Sequence, residues 1–184
     1  DLVRSRGLGD VYKRQLKEYG PILAEDPVYA DRAAAFAAKV RDVNEFLAEV
    51  GLTAPLQPLF PEPLAIVYQD ACHLLHGQRI AEPPRDLLRA IPGVTLREPI
   101  DAALCCGSAG VYNMLQPETA EELGQQKVQN LVNTGADLIA SANPGCSLQI
   151  RKHLALSGRS IALLHPIELL DYSIRGVQFE RRSV

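Results

Sequence analysis

Every cysteine in this chain lies where strand-like sequence gives way to helix-like sequence, or in a loop leading into a helix. Cys72 follows the apolar run Leu64-Ala65-Ile66-Val67-Tyr68. Cys146 follows Leu138-Ile139-Ala140-Ser141-Ala142 and closes Asn143-Pro144-Gly145-Cys146. The adjacent pair Cys105-Cys106 stands in Leu104-Cys105-Cys106-Gly107-Ser108-Ala109-Gly110. Short continuous apolar runs suit strands buried on both faces. Strands alternating with helices imply a small α/β fold: a doubly wound, mostly parallel sheet with helices on both faces. In such a sheet, ligands bind beyond the carboxyl ends of the strands. Parallel strands would therefore bring all four sulfurs to one edge.

The remaining elements follow from periodicity and punctuation. Strands are expected at 64–68, 94–97, 137–142 and 161–164. Helices are expected around 83–90, stopped by Ile91-Pro92-Gly93, over 106–115, and from Pro117 to Gly135. Two more run from Pro144 to about Leu156 and from His165-Pro166 through Leu170. Glu118, Glu121 and Glu122 suit the positive end of the helix opened by Pro117. Upstream, the apolar positions from Ala33 to Val50 recur at steps of three and four, a helical stripe preceded by Asp26-Pro27 and ended by Gly51. The organisation expected is a helical lead-in and proline-rich loop over 16–63, a cysteine-rich α/β domain over 64–176 and a tail over 177–184. Residues 1–15 show neither helical nor strand periodicity and look like translated adapter sequence. They are set aside as non-native, which makes the chain a fragment on this reading.

With 184 residues, the chain is long enough for one domain with a real core. The net charge of -3 and the lack of a basic stripe interleaved with aromatics argue against a nucleic-acid partner. No apolar run approaches a membrane span, and the start lacks a signal-peptide pattern. Four cysteines, two of them adjacent, do not make a disulfide scaffold. A reducing, cytoplasmic setting with thiols kept for ligation is expected.

The candidate metal ligands are Cys72, Cys105, Cys106 and Cys146. Cys146 would be the third residue of a helix capped by Asn143, and Cys106 would begin another. Helix N-termini favour the thiolate, the form that binds metal. Gly107 and Gly145 flank these ligands and would let backbone approach a bulky inorganic group. His73, His76 and His165 are candidates for hydrogen bonding around the ligands rather than ligation. Arg79 and Arg85 read as solvated surface. Zinc and an iron–sulfur cluster both remain open. The absence of Cys-x-x-Cys gives the cluster a modest preference and weighs against a thiol–disulfide enzyme.

The segments DACHLLHGQRI, CCGSAGVYNMLQPE, NPGCSLQI and LLHPIELLD resemble the C-terminal cysteine-rich domain of glycolate oxidase iron–sulfur subunits. Related Cys-Cys-Gly domains occur in the iron–sulfur subunits of lactate-utilisation and anaerobic glycerol-3-phosphate dehydrogenases, and in heterodisulfide reductases as the B-type cysteine-rich domain. The resemblance implies an iron–sulfur cluster, of 4Fe-4S type if each thiol holds one iron. Where the family pattern ends in Cys-x-x-Cys, this chain has Gln149 in place of the last cysteine. By the same resemblance, glycolate would be oxidised to glyoxylate on FAD in a partner subunit. This subunit would pass the electrons toward a quinone pool or another acceptor, placing it in the cytoplasm or peripherally on the inner membrane face. A zinc-stabilised or thiol-only scaffolding domain is the rival reading.

Overall fold

The computed structural model describes residues 10–178. Its centre is a four-stranded sheet of β1 (Leu64–Gln69), β2 (Val94–Arg97), β3 (Leu138–Ser141) and β4 (Ala162–Leu164) in the order β2-β1-β3-β4. Every pairing is parallel, so the sheet is fully rather than mostly parallel. The crossovers carry α5 (Glu82–Arg89), α6 (Tyr112–Leu115), α7 (Pro117–Asn133) and α8 (Pro144–Leu156), and α9 (Pro166–Arg175) follows β4.

Side chains alternate across the sheet, as the period of two requires. Val67, Ile139 and Leu163 are in register and face one side. There they pack with Val128 and Leu131 of α7 and Ile150 and Leu154 of α8. Ile66, Tyr68, Leu138 and Ala140 face the other side, against Leu87 and Leu88 of α5 and Leu169 and Leu170 of α9. The strand order reverses direction of travel at β1 and β3. That makes the crevice beyond their carboxyl ends the switch point of the sheet.

Among the described residues, four helices precede the sheet: α1 (Asp10–Lys17), α2 (Tyr19–Ile22), α3 (Ala30–Ala37) and α4 (Val43–Val50). The single stripe expected between Ala30 and Val50 is two helices. The break has a local cause at Asp42, whose backbone is extended and whose carboxylate accepts from the Asn44 amide at 2.8 Å. Glu45 completes a capping box by accepting from the Asp42 amide at 3.1 Å. A cap this complete restarts a helix whatever the flanking periodicity. Of the segment set aside as adapter-like, residues 1–9 lie outside the described residues. Asp10–Gln15 is helical, with Lys13 paired to Asp42 and Lys17 bonded to Glu45 at 3.0 Å. Most of the expected tail, residues 179–184, also lies outside the described residues.

Candidate metal centre

Each of three connections delivers cysteine to the same edge. β1 ends at Gln69, and Cys72 caps a single π-helical turn, His73–Gly77. Cys105 and Cys106 sit in the loop after β2, and Cys146 is the third residue of α8. The Asn143 cap is as expected: its side-chain oxygen accepts from the Cys146 amide at 3.0 Å. Cys106 does not begin a helix. The loop continues to Val111, and Gly107, Ala109 and Gly110 all have positive φ, which helical backbone excludes.

None of the four cysteines is in a disulfide, and their thiols touch in succession. Cys72 is in hydrogen-bonding contact with Cys105, Cys105 with Cys106, and Cys106 with Cys146. Cys106 and Cys146 are buried; Cys72 and Cys105 are half-buried and form the open end. The contact with Cys106, then that with Cys72, holds Cys105 as a thiolate with a pKa lowered to about 2, and the Gly107 amide also donates to its sulfur at 3.4 Å. The Cys106 thiol is pushed the other way, by its contacts with Cys105 and Cys146 and by burial. Among the described residues, no three His, Cys, Asp or Glu side chains close around one ion-sized point.

The two glycines work differently from expectation. A Cβ on Gly107 would lie 2.5 Å from the Ala120 carbonyl oxygen, on α7. One on Gly145 would meet Ser108 Oγ at 3.0 Å and Asn143 Oδ1 at 3.1 Å. Both absences let protein approach protein: the Cys105–Cys106 loop packs down on α7 and against the start of α8. The sulfurs meet because of it.

The histidines separate. His73 Nδ1 lies 3.4 Å from the Cys72 sulfur. His76 is exposed. His165 caps α9, accepting from the Ile167 amide at 3.1 Å while Glu168 accepts from the His165 amide at 2.7 Å. Burial lowers its pKa, and its charged neighbours are Asp42, Glu168 and Lys13. It lines a cleft between α8 and α9 to which no cysteine contributes.

Three further residues belong to this region. Arg85, read as solvated surface, is buried. It donates to Asp70 at 2.8 and 2.6 Å and to Glu98 at 2.9 Å twice, and lies 5.1 Å from the Tyr68 ring centre. Its bonds to Asp70 raise its pKa. Gln149, at the position where the family pattern has a cysteine, is buried, donating to the Ala120 carbonyl at 3.2 Å and lying 3.2 Å from His153 Nε2. Lys127 of α7 is fully buried and donates to the Ala102 carbonyl at 2.7 Å. A signal existed for it: Ala120, Gly124, Lys127 and Leu131 form the core stripe of α7 at steps of four, three and four, and a lysine on such a stripe is anomalous.

The donor set fits an iron–sulfur group. Four sulfurs, the soft ligands such clusters take, meet at one sheet edge; one is held as thiolate, and a buried cation stands nearby.

Residues 66–151 match the cysteine-rich domain family called CCG. The chain is 36% identical over 157 residues to the probable glycolate oxidase iron–sulfur subunit of Bacillus subtilis, covering 84% of this chain and 35% of that protein. It is 27% identical over 158 residues to lactate utilization protein A of Halalkalibacterium halodurans, covering 86% of this chain and 64% of that protein. It is 34% identical over 133 residues to a subunit of the fumarate reductase (CoM/CoB) of Methanothermobacter marburgensis, covering 72% of this chain and 27% of that protein. The chain thus spans about a third of the first relative's length and less than two-thirds of the second's. With its parallel sheet, its row of four sulfurs and this match, the segment 66–151 is a cysteine-rich domain of the CCG family.

Proposed function

We propose that this chain is the cluster-binding part of an iron–sulfur electron-transfer subunit serving a flavin enzyme that oxidises a 2-hydroxy acid. The observation that carries the reading is the row Cys72–Cys105–Cys106–Cys146, assembled from three separate connections at one sheet edge. Four sulfurs in successive contact, with no three ligand side chains around one ion-sized point among the described residues, suit a polynuclear cluster better than a single zinc ion, which draws its ligands around one point. Four thiols supply one ligand per iron of a 4Fe-4S cluster. When bound, such a cluster supplies one-electron storage, while these residues hold and shield it. Its open end, at Cys72 and Cys105, is the side from which electrons would exchange.

The names of the relatives support a glycolate or lactate substrate; FAD on a partner subunit and a quinone or other acceptor downstream complete the proposal. A place in the cytoplasm or on the inner membrane face follows from that assembly. Among the described residues, no helix is long and apolar enough to cross a membrane.

Anaerobic reconstitution of the chain, with iron and acid-labile sulfide analysis and paramagnetic resonance, tests the proposal. About four irons and four sulfides per chain, with a resonance signal on reduction, are expected. A colourless protein that takes up one zinc ion in competition with iron would overturn it.

A further inference from the structure

Among the described residues, Lys127 has one hydrogen bond, to the Ala102 carbonyl, and no carboxylate within ion-pairing distance of its ammonium. Long charged side chains are almost never fully buried unless paired. Leaving an ammonium without a counter-charge in the interior is strongly unfavourable. Its surroundings offer negative charge from another source once the four cysteines hold a metal group. The groups acting on it electrostatically are Asp70, Cys106, Cys146 and Cys105, and Asp70 is already held by Arg85. The carbonyl it binds, Ala102, lies three residues before Cys105 on the same loop. The ammonium therefore lies buried against the loop that carries Cys105 and Cys106, where water cannot screen it.

We infer that Lys127 is the built-in counter-charge of the metal centre, positioned to set the reduction potential of the group the four cysteines hold. The inference rests on the cluster reading above. One-electron reduction adds one negative charge to the centre, with no bond made or broken. A fixed positive charge in a water-excluded site stabilises that reduced form. Burial depresses the pKa of the ammonium, while the thiols and Asp70 oppose that shift. An anionic cluster would strengthen the opposition.

The test is a redox titration of the anaerobically reconstituted chain, followed by paramagnetic resonance, with dithionite as electron donor. Lys127→Met removes both the charge and the hydrogen bond. Lys127→Gln removes the charge but keeps an N–H to offer Ala102. Lys152→Met serves as control, because Lys152 is exposed on α8 and paired with Glu121 at 2.7 Å. Both Lys127 variants are expected to move the midpoint to more negative values by a tenfold change in the oxidised-to-reduced ratio, about 59 mV for one electron. The control is expected to stay at the wild-type value.

A wild-type midpoint in Lys127→Gln would overturn the inference, since the lysine would then matter only as a hydrogen-bond donor. So would failure of both variants to fold, which would make its role structural. A variant that melts cooperatively but takes up no iron, with Lys127→Arg restoring uptake, supports it. Iron and sulfide uptake by the wild type is measured first: its absence defeats the cluster reading, and a wild-type cluster with an unmoved midpoint in both variants defeats this inference alone.

Discussion

Two buried cations flank the carboxyl end of β1, and their treatment differs. Arg85, on α5, has Asp70 and Glu98 as bidentate partners and an aromatic ring beneath it. Lys127, on α7, has a single carbonyl and a row of sulfurs. The first is a closed structural unit: one guanidinium is held by two carboxylates, its donors are satisfied, and α5 is tied to the start of the Cys72 connection through Asp70. The second is an open one, whose negative partner is chemistry-bearing. Buried charge paired with carboxylates holds a fold in register, whereas buried charge facing reactive sulfur points to what the site carries.

The strongest way to break this comparison is to remove the sulfurs. Cys106→Ser and Cys146→Ser are each expected to abolish iron and sulfide uptake after anaerobic reconstitution, because serine offers a hard, high-pKa hydroxyl in place of a thiolate. Gln149→Ala is expected to retain uptake, since its amide is occupied at Ala120. Full iron content in either serine variant would remove that cysteine from the ligand set.

Next in size is the closed pair. Arg85→Met leaves Asp70 buried without its partner and is expected to destabilise the metal-free chain by roughly 3–5 kcal/mol in urea titration. Lys127→Met in the same metal-free state is expected to cost far less, because it removes a buried charge that lacks a carboxylate. Equal losses would erase the distinction between the two cations.

The loop that brings the sulfurs together supplies a third test. Gly107→Ala places a Cβ against the Ala120 carbonyl at a φ of 83°, where side chains are strained. A loss of roughly 2–3 kcal/mol is expected from combined strain and overpacking, together with weaker iron uptake. Unchanged melting would show that the loop can lift away from α7 freely.

The smallest effect lies away from the centre, at Asp42. Burial raises its pKa, but the bonds and charge from Lys13 and the bonds from Asn44 outweigh this, leaving it below the ordinary value of 3.8. A carboxyl with a depressed folded-state pKa contributes stability above its unfolded value and loses it as pH falls through the folded one. Asp42→Ala is expected to cost about 1–2 kcal/mol at pH 7 and to flatten the loss of stability below about pH 4. A variant as stable as wild type at neutral pH would show that α1 and the α4 cap do not secure the lead-in.

Much of this was legible in the chain itself. The strands at 64–68 and 94–97, the helix opened by Pro144 and the Asn143 cap needed only local information, because apolar runs, first-turn prolines and capping side chains act within a few residues. The parallel sheet followed from alternation of element types, and parallel strands then sent the cysteine-bearing connections to one edge. What sequence could not decide depended on distant partners. Ala33 to Val50 keeps one helical period, yet Asp42 found a cap and a lysine twenty-nine residues upstream. Arg85 and an exposed arginine look identical until Asp70, fifteen residues before it, is folded against it. Gly107 reads as room for a ligand until Ala120 occupies that space. The residue types and their order set where the thiols would go. Only packing between α7, α8 and the Cys105–Cys106 loop decided that they touch and that a buried lysine is bonded to that loop, because burial and electrostatics depend on distances in space that no local pattern encodes.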